Sequence, residues 1–145
     1  MQGDRAAAEL IPKLKQHCTI SAADIPDLIP ILSVVAACNH GAEFRDIRRL
    51  RLKESDRVES VMAMITALGG RAEADEHTLK IYGTGLKGGT VDCRNDHRIA
   101  MSAAIAAAAC DQPVILLGSQ CVAKSYPGFF DVYRRTGGKY EQYLR

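Results

Sequence analysis

The chain has 145 residues, enough for one domain with a sizeable buried core. Hydrophobic residues make up 47% and charged residues 25%, a globular balance that argues against disorder, and no apolar run approaches the roughly 18 residues of a membrane-spanning helix. The 19 Lys+Arg against 17 Asp+Glu leave a net charge of +2, too small to imply nucleic acid by bulk electrostatics. In chain order, Ala6 to Lys15 reads as a short helix interrupted by Pro12, and Cys18 to Ile20 as a strand. Asp24 is a candidate cap for a helix with Pro26 in its first turn, and Leu28, Ile31, Leu32, Val35 and Ala36 then recur at helical spacing up to Gly41. Ala42 to Ile47 is a predicted strand. A helix capped by Ser55 follows, with Val58, Val61, Met62, Ile65 and Leu68 on one face and Gly69-Gly70 as its stop.

Two strands follow, Arg71 to Ala74 and Thr78 to Tyr82, joined at Asp75-Glu76-His77, and Thr90 to Asp92 is a third. A helix begins near Asp96 and runs to Ala109; seven of its last ten residues are alanines, small enough for close packing on a neighbour. Pro113 to Leu117 is a strand. Lys124 precedes a helix bearing Phe129, Phe130, Val132 and Tyr133, which Gly137-Gly138 ends, and Lys139 to Leu144 reads as a final strand. The order repeats: Lys53 and Lys124, Gly69 and Gly137, and Gly41 and Asp111 share nearly one offset. This implies a duplicated unit of roughly 70 residues, whose equivalent loops converge on one side of the molecule. The fold class expected is α/β (α+β), with helices on small mixed sheets.

The five cysteines are odd in number and include no C-x-x-C pair or His/Cys cluster, which argues against a disulfide framework or structural zinc and for a reducing compartment. No basic segment followed by an apolar core opens the chain, so no secretory signal is read, and a cytoplasmic setting is expected. Gly83-Thr84-Gly85-Leu86-Lys87-Gly88 matches a dinucleotide fingerprint, but a β-type stretch follows it where the mechanism needs a helix; it is read as a turn between strands.

Lys53-Glu54-Ser55-Asp56-Arg57 gathers charges of both signs at a helix start. Two readings stand, a capped and salt-bridged helix entry or an anion site using free N–H groups and a guanidinium fork. Asn95-Asp96-His97-Arg98 has the same character, and its cations oppose the helix dipole unless an anion offsets them. Lys124 alone reads as a surface lysine, but its partnership with Lys53 in the repeat raises it. Lys53, Arg57, Arg98 and Lys124 together suit a small substrate bearing phosphate and carboxylate groups, with Asp27 and Glu54 as the nearby proton-transfer candidates.

The segments Asp24-Ile25-Pro26-Asp27, Lys53-Glu54-Ser55-Asp56-Arg57, Asn95-Asp96-His97-Arg98 and Cys121-Val122-Ala123-Lys124 resemble, in order and spacing, the C-terminal half of the 5-enolpyruvylshikimate-3-phosphate synthase family. The resemblance covers roughly residues 24 to 138 and is weak over residues 1 to 23. It implies tandem βαβαββ units of the enolpyruvyl transferase fold. The family's domains each hold three units, about two of which fit here, so the chain, residues 1–145, is expected to be part of the C-terminal globular domain with the N-terminal domain absent. The implied reaction moves the enolpyruvyl group of phosphoenolpyruvate to the 5-hydroxyl of shikimate 3-phosphate and releases phosphate, in the shikimate pathway to the aromatic amino acids. No metal or organic cofactor is implied.

Carried over by the resemblance, Asp27 binds shikimate 3-phosphate and helps deprotonate its hydroxyl, Lys53 contacts that substrate, and Glu54 serves proton transfer at the methylene. Arg57, Arg98 and Lys124 grip phosphoenolpyruvate, His97 lies beside them, and Asp56 and Asp96 orient the arginines. Arg49 stands where some members have a substrate-contacting asparagine and receives no role. Because the family's lysine-serine-arginine segment and serine-rich phosphate loop have no counterpart here, the isolated chain is expected to be inactive, with weak phosphoenolpyruvate binding and self-association through uncovered apolar surface. The alternatives are the related UDP-N-acetylglucosamine enolpyruvyl transferase and a non-catalytic anion-binding module on the same repeat.

Overall fold

The computed structural model describes residues 2–142, with side chains from Arg5 onward. Helix α1 (Gln2–Leu10) starts earlier than expected and tightens at Pro12 into a 3-10 turn (Ile11–Lys15). There follow β1 (Cys18–Ser21), a 3-10 turn (Pro26–Leu28), α2 (Ile29–Ala37), β2 (Ala42–Arg45), a 3-10 helix (Ile47–Leu52), α3 (Arg57–Ala67), β3 (Ala72–Ala74) and β4 (Thr78–Ile81). The chain continues through β5 (Gly89–Asp92), α4 (His97–Ala106), a 3-10 turn (Ala107–Ala109), β6 (Val114–Leu117), a 3-10 helix (Ser119–Lys124) and α5 (Phe129–Arg135).

One sheet has the order β1-β2-β4-β3, with β1 and β2 parallel and the other pairs antiparallel; β5 and β6 form a second, parallel pair. Parallel neighbours need a crossover, and α2 and α4 supply it. The main core lies between the first sheet and the helices: Phe44, Leu79 and Ile81 from the strands meet Ile29 and Leu32 of α2, and Val61, Met64 and Ile65 of α3. Met64 rather than Met62 is the buried methionine, so the buried stripe of α3 is rotated from the expected one. The small residues Ala100, Ser102, Ala103, Ala104 and Ala106 are buried along α4, as close helix packing requires. A smaller cluster joins Cys93, Ala100, Cys121 and Phe129 under the aromatic helix α5.

Helix starts depart from the sequence reading in two places. Asp24 caps nothing. The chain makes a 3-10 turn first, and α2 begins at Ile29 with no side-chain cap, since Pro30 in its first turn has no N–H to satisfy. Asp56, not Ser55, caps α3, its carboxylate accepting from the N–H groups of Val58 and Glu59 at 3.1 and 3.3 Å. Strand β2 ends at Arg45 because Asp46 turns left-handed (φ 58°). Residues 139–142 form no strand, and the remainder of that expected strand lies outside the described residues.

The duplication is visible in the backbone. After β1, the Ala22 N–H donates to the Arg45 carbonyl at 2.7 Å, and after β5 the Cys93 N–H donates to the Leu117 carbonyl at 2.9 Å. The Ile25 N–H returns to Ala22 as the Asp96 N–H returns to Cys93. Each second strand ends in a left-handed residue, Asp46 or Gly118, followed by a six-residue 3-10 helix. The match corrects the lysine landmark: Lys124 ends its 3-10 helix where Leu52 ends the other, and Lys53 corresponds to Ser125. Lys124 is thus the last residue of its 3-10 helix, whereas Lys53 follows its own with an extended backbone. The first unit runs β1-α2-β2-α3-β3-β4, a complete βαβαββ order. The second runs β5-α4-β6-α5, with no closing hairpin among the described residues.

Candidate functional site

Three loops meet at one place. The turn after β1 carries Asp27, the segment after the first long 3-10 helix carries Lys53 and Glu54, and the entry to α4 carries residues 95–98. Arg57, the first residue of α3, is at their centre with its side chain only 1% exposed. A guanidinium has five N–H donors in a planar fork, and its burial is tolerable only if they are met. Asp96 accepts two, from Nε at 2.9 Å and from a terminal nitrogen at 3.2 Å; Glu54 Oε2 accepts another at 2.7 Å, and Asp27 Oδ1 a fourth.

Asp96 is fully buried and does several things at once. Its Oδ1 caps α4 by accepting from the Arg98 N–H at 3.0 Å, and its Oδ2 accepts from the Ser55 hydroxyl at 2.8 Å. Ser60 donates in turn to Ser55 at 2.8 Å. Burial pushes the Asp96 carboxyl up, but hydrogen bonds from Arg57 and Ser55, the Arg57 charge and the Arg98 N–H outweigh it, and the net pKa lies below the usual range. Asp27 behaves likewise. Desolvation raises it, and the hydrogen bond and charge of Arg57 with the charges of Lys53 and Arg98 bring it down. Arg57 is held more firmly protonated: desolvation opposes its charge, and hydrogen bonds to Asp96 and Asp27 and their charges prevail.

The remaining expected residues ring this centre. Lys53 Nζ lies 3.6 Å from Asp27 Oδ1. Arg98 has its Nε buried without a hydrogen-bond partner. Lys124 Nζ donates to Asn95 Oδ1 at 3.2 Å, next in sequence to Asp96. His97, half-buried, opens α4 between Asp96 and Arg98. All seven expected residues therefore belong to one set of adjoining loops, with Arg57 inside and Lys53, Arg98 and Lys124 around it. Asp56 caps α3 and pairs with Arg51 at 3.2 Å rather than orienting Arg57. Sequence reasoning reads Ser55 as a cap and gives Ser60 no role; the signal for this network is two hydroxyls five residues apart at a charged helix entry. Among the described residues no group of His, Cys, Asp and Glu is arranged to hold a metal ion.

Chemically, the arrangement offers several cations at the C-terminal ends of parallel strands, where α/β folds bind ligands, and two half-exposed carboxylates, Asp27 and Glu54, touching the same guanidinium. A small polyanion entering among Lys53, Arg98 and Lys124 would compete with those carboxylates for Arg57.

The family model described as EPSP synthase (3-phosphoshikimate 1-carboxyvinyltransferase) matches residues 2–133. Among curated relatives, the 3-phosphoshikimate 1-carboxyvinyltransferase of Clostridium kluyveri is 34% identical over 99% of this chain and 38% of its own length. That of Clostridium acetobutylicum is 40% identical over 95% of this chain and 36% of its own. That of Thermococcus kodakarensis is 42% identical over 80% and 29%. The EPSP synthase structure from Acinetobacter baumannii superposes with a TM-score of 0.76 at 30% identity, covering 80% of this chain and 28% of that one. The chain thus spans little more than a third of the length of the curated relatives it matches.

Proposed function

The chain belongs to the EPSP synthase family, and from that premise we propose that it forms one wall of a site for transferring the enolpyruvyl group of phosphoenolpyruvate to the 5-hydroxyl of shikimate 3-phosphate. The observation that carries the proposal is the convergence of Asp27, Glu54 and Asp96 on the buried Arg57, with Lys53, Arg98 and Lys124 around them. In the reaction the hydroxyl oxygen bonds to C2 of phosphoenolpyruvate while C3 gains a proton. The C2–phosphate bond then breaks, phosphate leaves, and C3 loses a proton to restore the double bond.

Arg57, Arg98 and Lys124 take the phosphate and carboxylate of phosphoenolpyruvate, with His97 at the rim, and stabilise the departing phosphate. Lys53 and Asp27 hold shikimate 3-phosphate. Glu54 serves the methylene proton, and Asp27 the hydroxyl proton. The cations that lower the Asp27 pKa make it first a hydrogen-bond acceptor; a bound anion that offsets their charge makes it a better base. No metal or organic cofactor enters the proposal. The second wall comes from the rest of the transferase in a cytoplasmic enzyme, so this chain alone binds phosphoenolpyruvate weakly and turns over little or not at all.

Calorimetric titration of the chain with phosphoenolpyruvate tests this. Arg98→Ala should weaken binding by on the order of 1.5–3 kcal/mol, the loss of a charge-assisted contact, with much less effect on folding. Equal losses of stability and binding would support a structural role for Arg98 instead. Robust product formation by the purified chain would refute the claim of inactivity.

A further inference from the structure

The two units differ at one place that has the same backbone in both. At the end of β2, Asp46 is left-handed (φ 58°, ψ 47°); at the end of β6, the equivalent Gly118 is left-handed too (φ 81°, ψ 26°). The fold demands that conformation, and glycine adopts it without the steric cost an L side chain bears. The first unit nevertheless has an aspartate. What the aspartate adds is a bond that glycine cannot make: Ser21 Oγ, at the end of β1, donates to Asp46 Oδ2 at 2.7 Å. The same hydroxyl accepts from the Ala23 N–H at 3.3 Å, which fixes its direction. Arg49 donates to the Ala23 carbonyl at 3.4 Å, a second side-chain tie between the same two segments.

The second unit serves as an internal comparison. Asp92 stands where Ser21 stands and likewise accepts from the N–H two residues on, that of Arg94, at 2.9 Å. Across from it is Gly118, which has no side chain to answer. The cross-link therefore exists only in the unit whose loops carry Asp27 and Glu54. It joins those loops at their roots, Ser21 being six residues before Asp27, and Asp46 seven before Lys53. We propose that Ser21 and Asp46 are positioning residues whose side-chain bond sets the separation between the Asp27 loop and the Lys53-Glu54 loop.

The proposal rests on the reading of Asp27 and Glu54 as substrate-facing carboxylates, and its test separates the two. Asp46→Gly keeps the backbone conformation and removes only the acceptor, so thermal stability should hold or rise. Ser21→Ala removes the donor. In both, amide hydrogen exchange across residues 22–28 should speed up. The Asp27 carboxyl, followed by carbon NMR, should titrate higher as it loosens from Arg57, Lys53 and Arg98. Loss of the Asp46 charge by itself would lower that titration, so an upward move cannot be its direct electrostatic effect. Asp46→Asn, which keeps an acceptor and tolerates the left-handed region, should restore both readouts. Binding of shikimate 3-phosphate should weaken on the order of tenfold in Asp46→Gly and recover in Asp46→Asn. Unchanged exchange and an unmoved Asp27 titration in both Asp46→Gly and Ser21→Ala would overturn the proposal, as would failure of Asp46→Asn to restore them. If the unaltered chain takes up no shikimate 3-phosphate, the role of Asp27 and Lys53 in holding it fails and the titration still decides the cross-link.

Discussion

Arg57 and Asp96 form a buried ion pair whose two members also serve two helix starts. Removing one partner from such a pair leaves an uncompensated charge in the interior. Asp96→Ala should therefore cost about 3–5 kcal/mol of unfolding free energy in urea titrations, the loss of the α4 cap included. Glu59→Ala, on the exposed side of α3, should cost far less. The folded pKa of Asp96 lies below its unfolded value, so its contribution to stability is present above the ordinary aspartate range and is lost as pH falls through the folded value. The melting temperature should be flat near neutrality and drop below about pH 4. Asp96→Asn should flatten that drop. Asp27 adds less, because half of its side chain is exposed and screened by solvent.

Among the elements, the joints matter more than the helices themselves. Gly89 opens β5 with φ +146° directly against the carbonyl of Ala67 at the end of α3, so that the second sheet docks on the first unit through bare backbone. A Cβ there meets a carbonyl oxygen that cannot move without unwinding the end of α3. Gly89→Ala should lose about 2–4 kcal/mol, by chemical denaturation, through steric overlap and strain together. Gly118 also has positive φ, but an added Cβ has nothing within 4 Å. Gly118→Ala should lose only the conformational part, about 1 kcal/mol. A similar loss at both positions would mean that close approach at Gly89 is not what joins the units.

For the molecule as a whole, the asymmetry between the two sheets sets its behaviour in solution. In the first sheet β2 is covered on its outer edge by β4, and its outward residues are Glu43 and Arg45. In the second, β6 has no partner beyond β5 among the described residues, and the corresponding outward residues are Ile115 and Leu117, 55% and 50% exposed. An aliphatic edge of this kind templates pairing with another copy. We expect the chain to self-associate at high concentration in sedimentation experiments and Ile115→Lys with Leu117→Lys to suppress it. A monomer at every concentration would refute that expectation.

Much of this was legible in the linear chain because it is local or periodic. The Gly69-Gly70 stop, the strands flanking Asp75-Glu76-His77, the alanine-rich α4 and the repeat all follow from spacing and residue type. The motifs Lys53 to Arg57 and Asn95 to Arg98 are contiguous, so the gathering of charge at two helix entries is legible in sequence. What the chain order could not supply were choices made across distance. Whether Ser55 or Asp56 caps α3 is decided by Asp96, 41 residues from Ser55, which takes the Ser55 hydroxyl for itself. That Lys53 and Lys124 are not equivalent appears only when the two 3-10 helices are laid over one another. The burial of Arg57, and with it the pairing of three carboxylates from three loops, exists only once α3 and α4 pack beside each other, because a buried charge and its partners are selected together by the cost of desolvation rather than by neighbours in sequence.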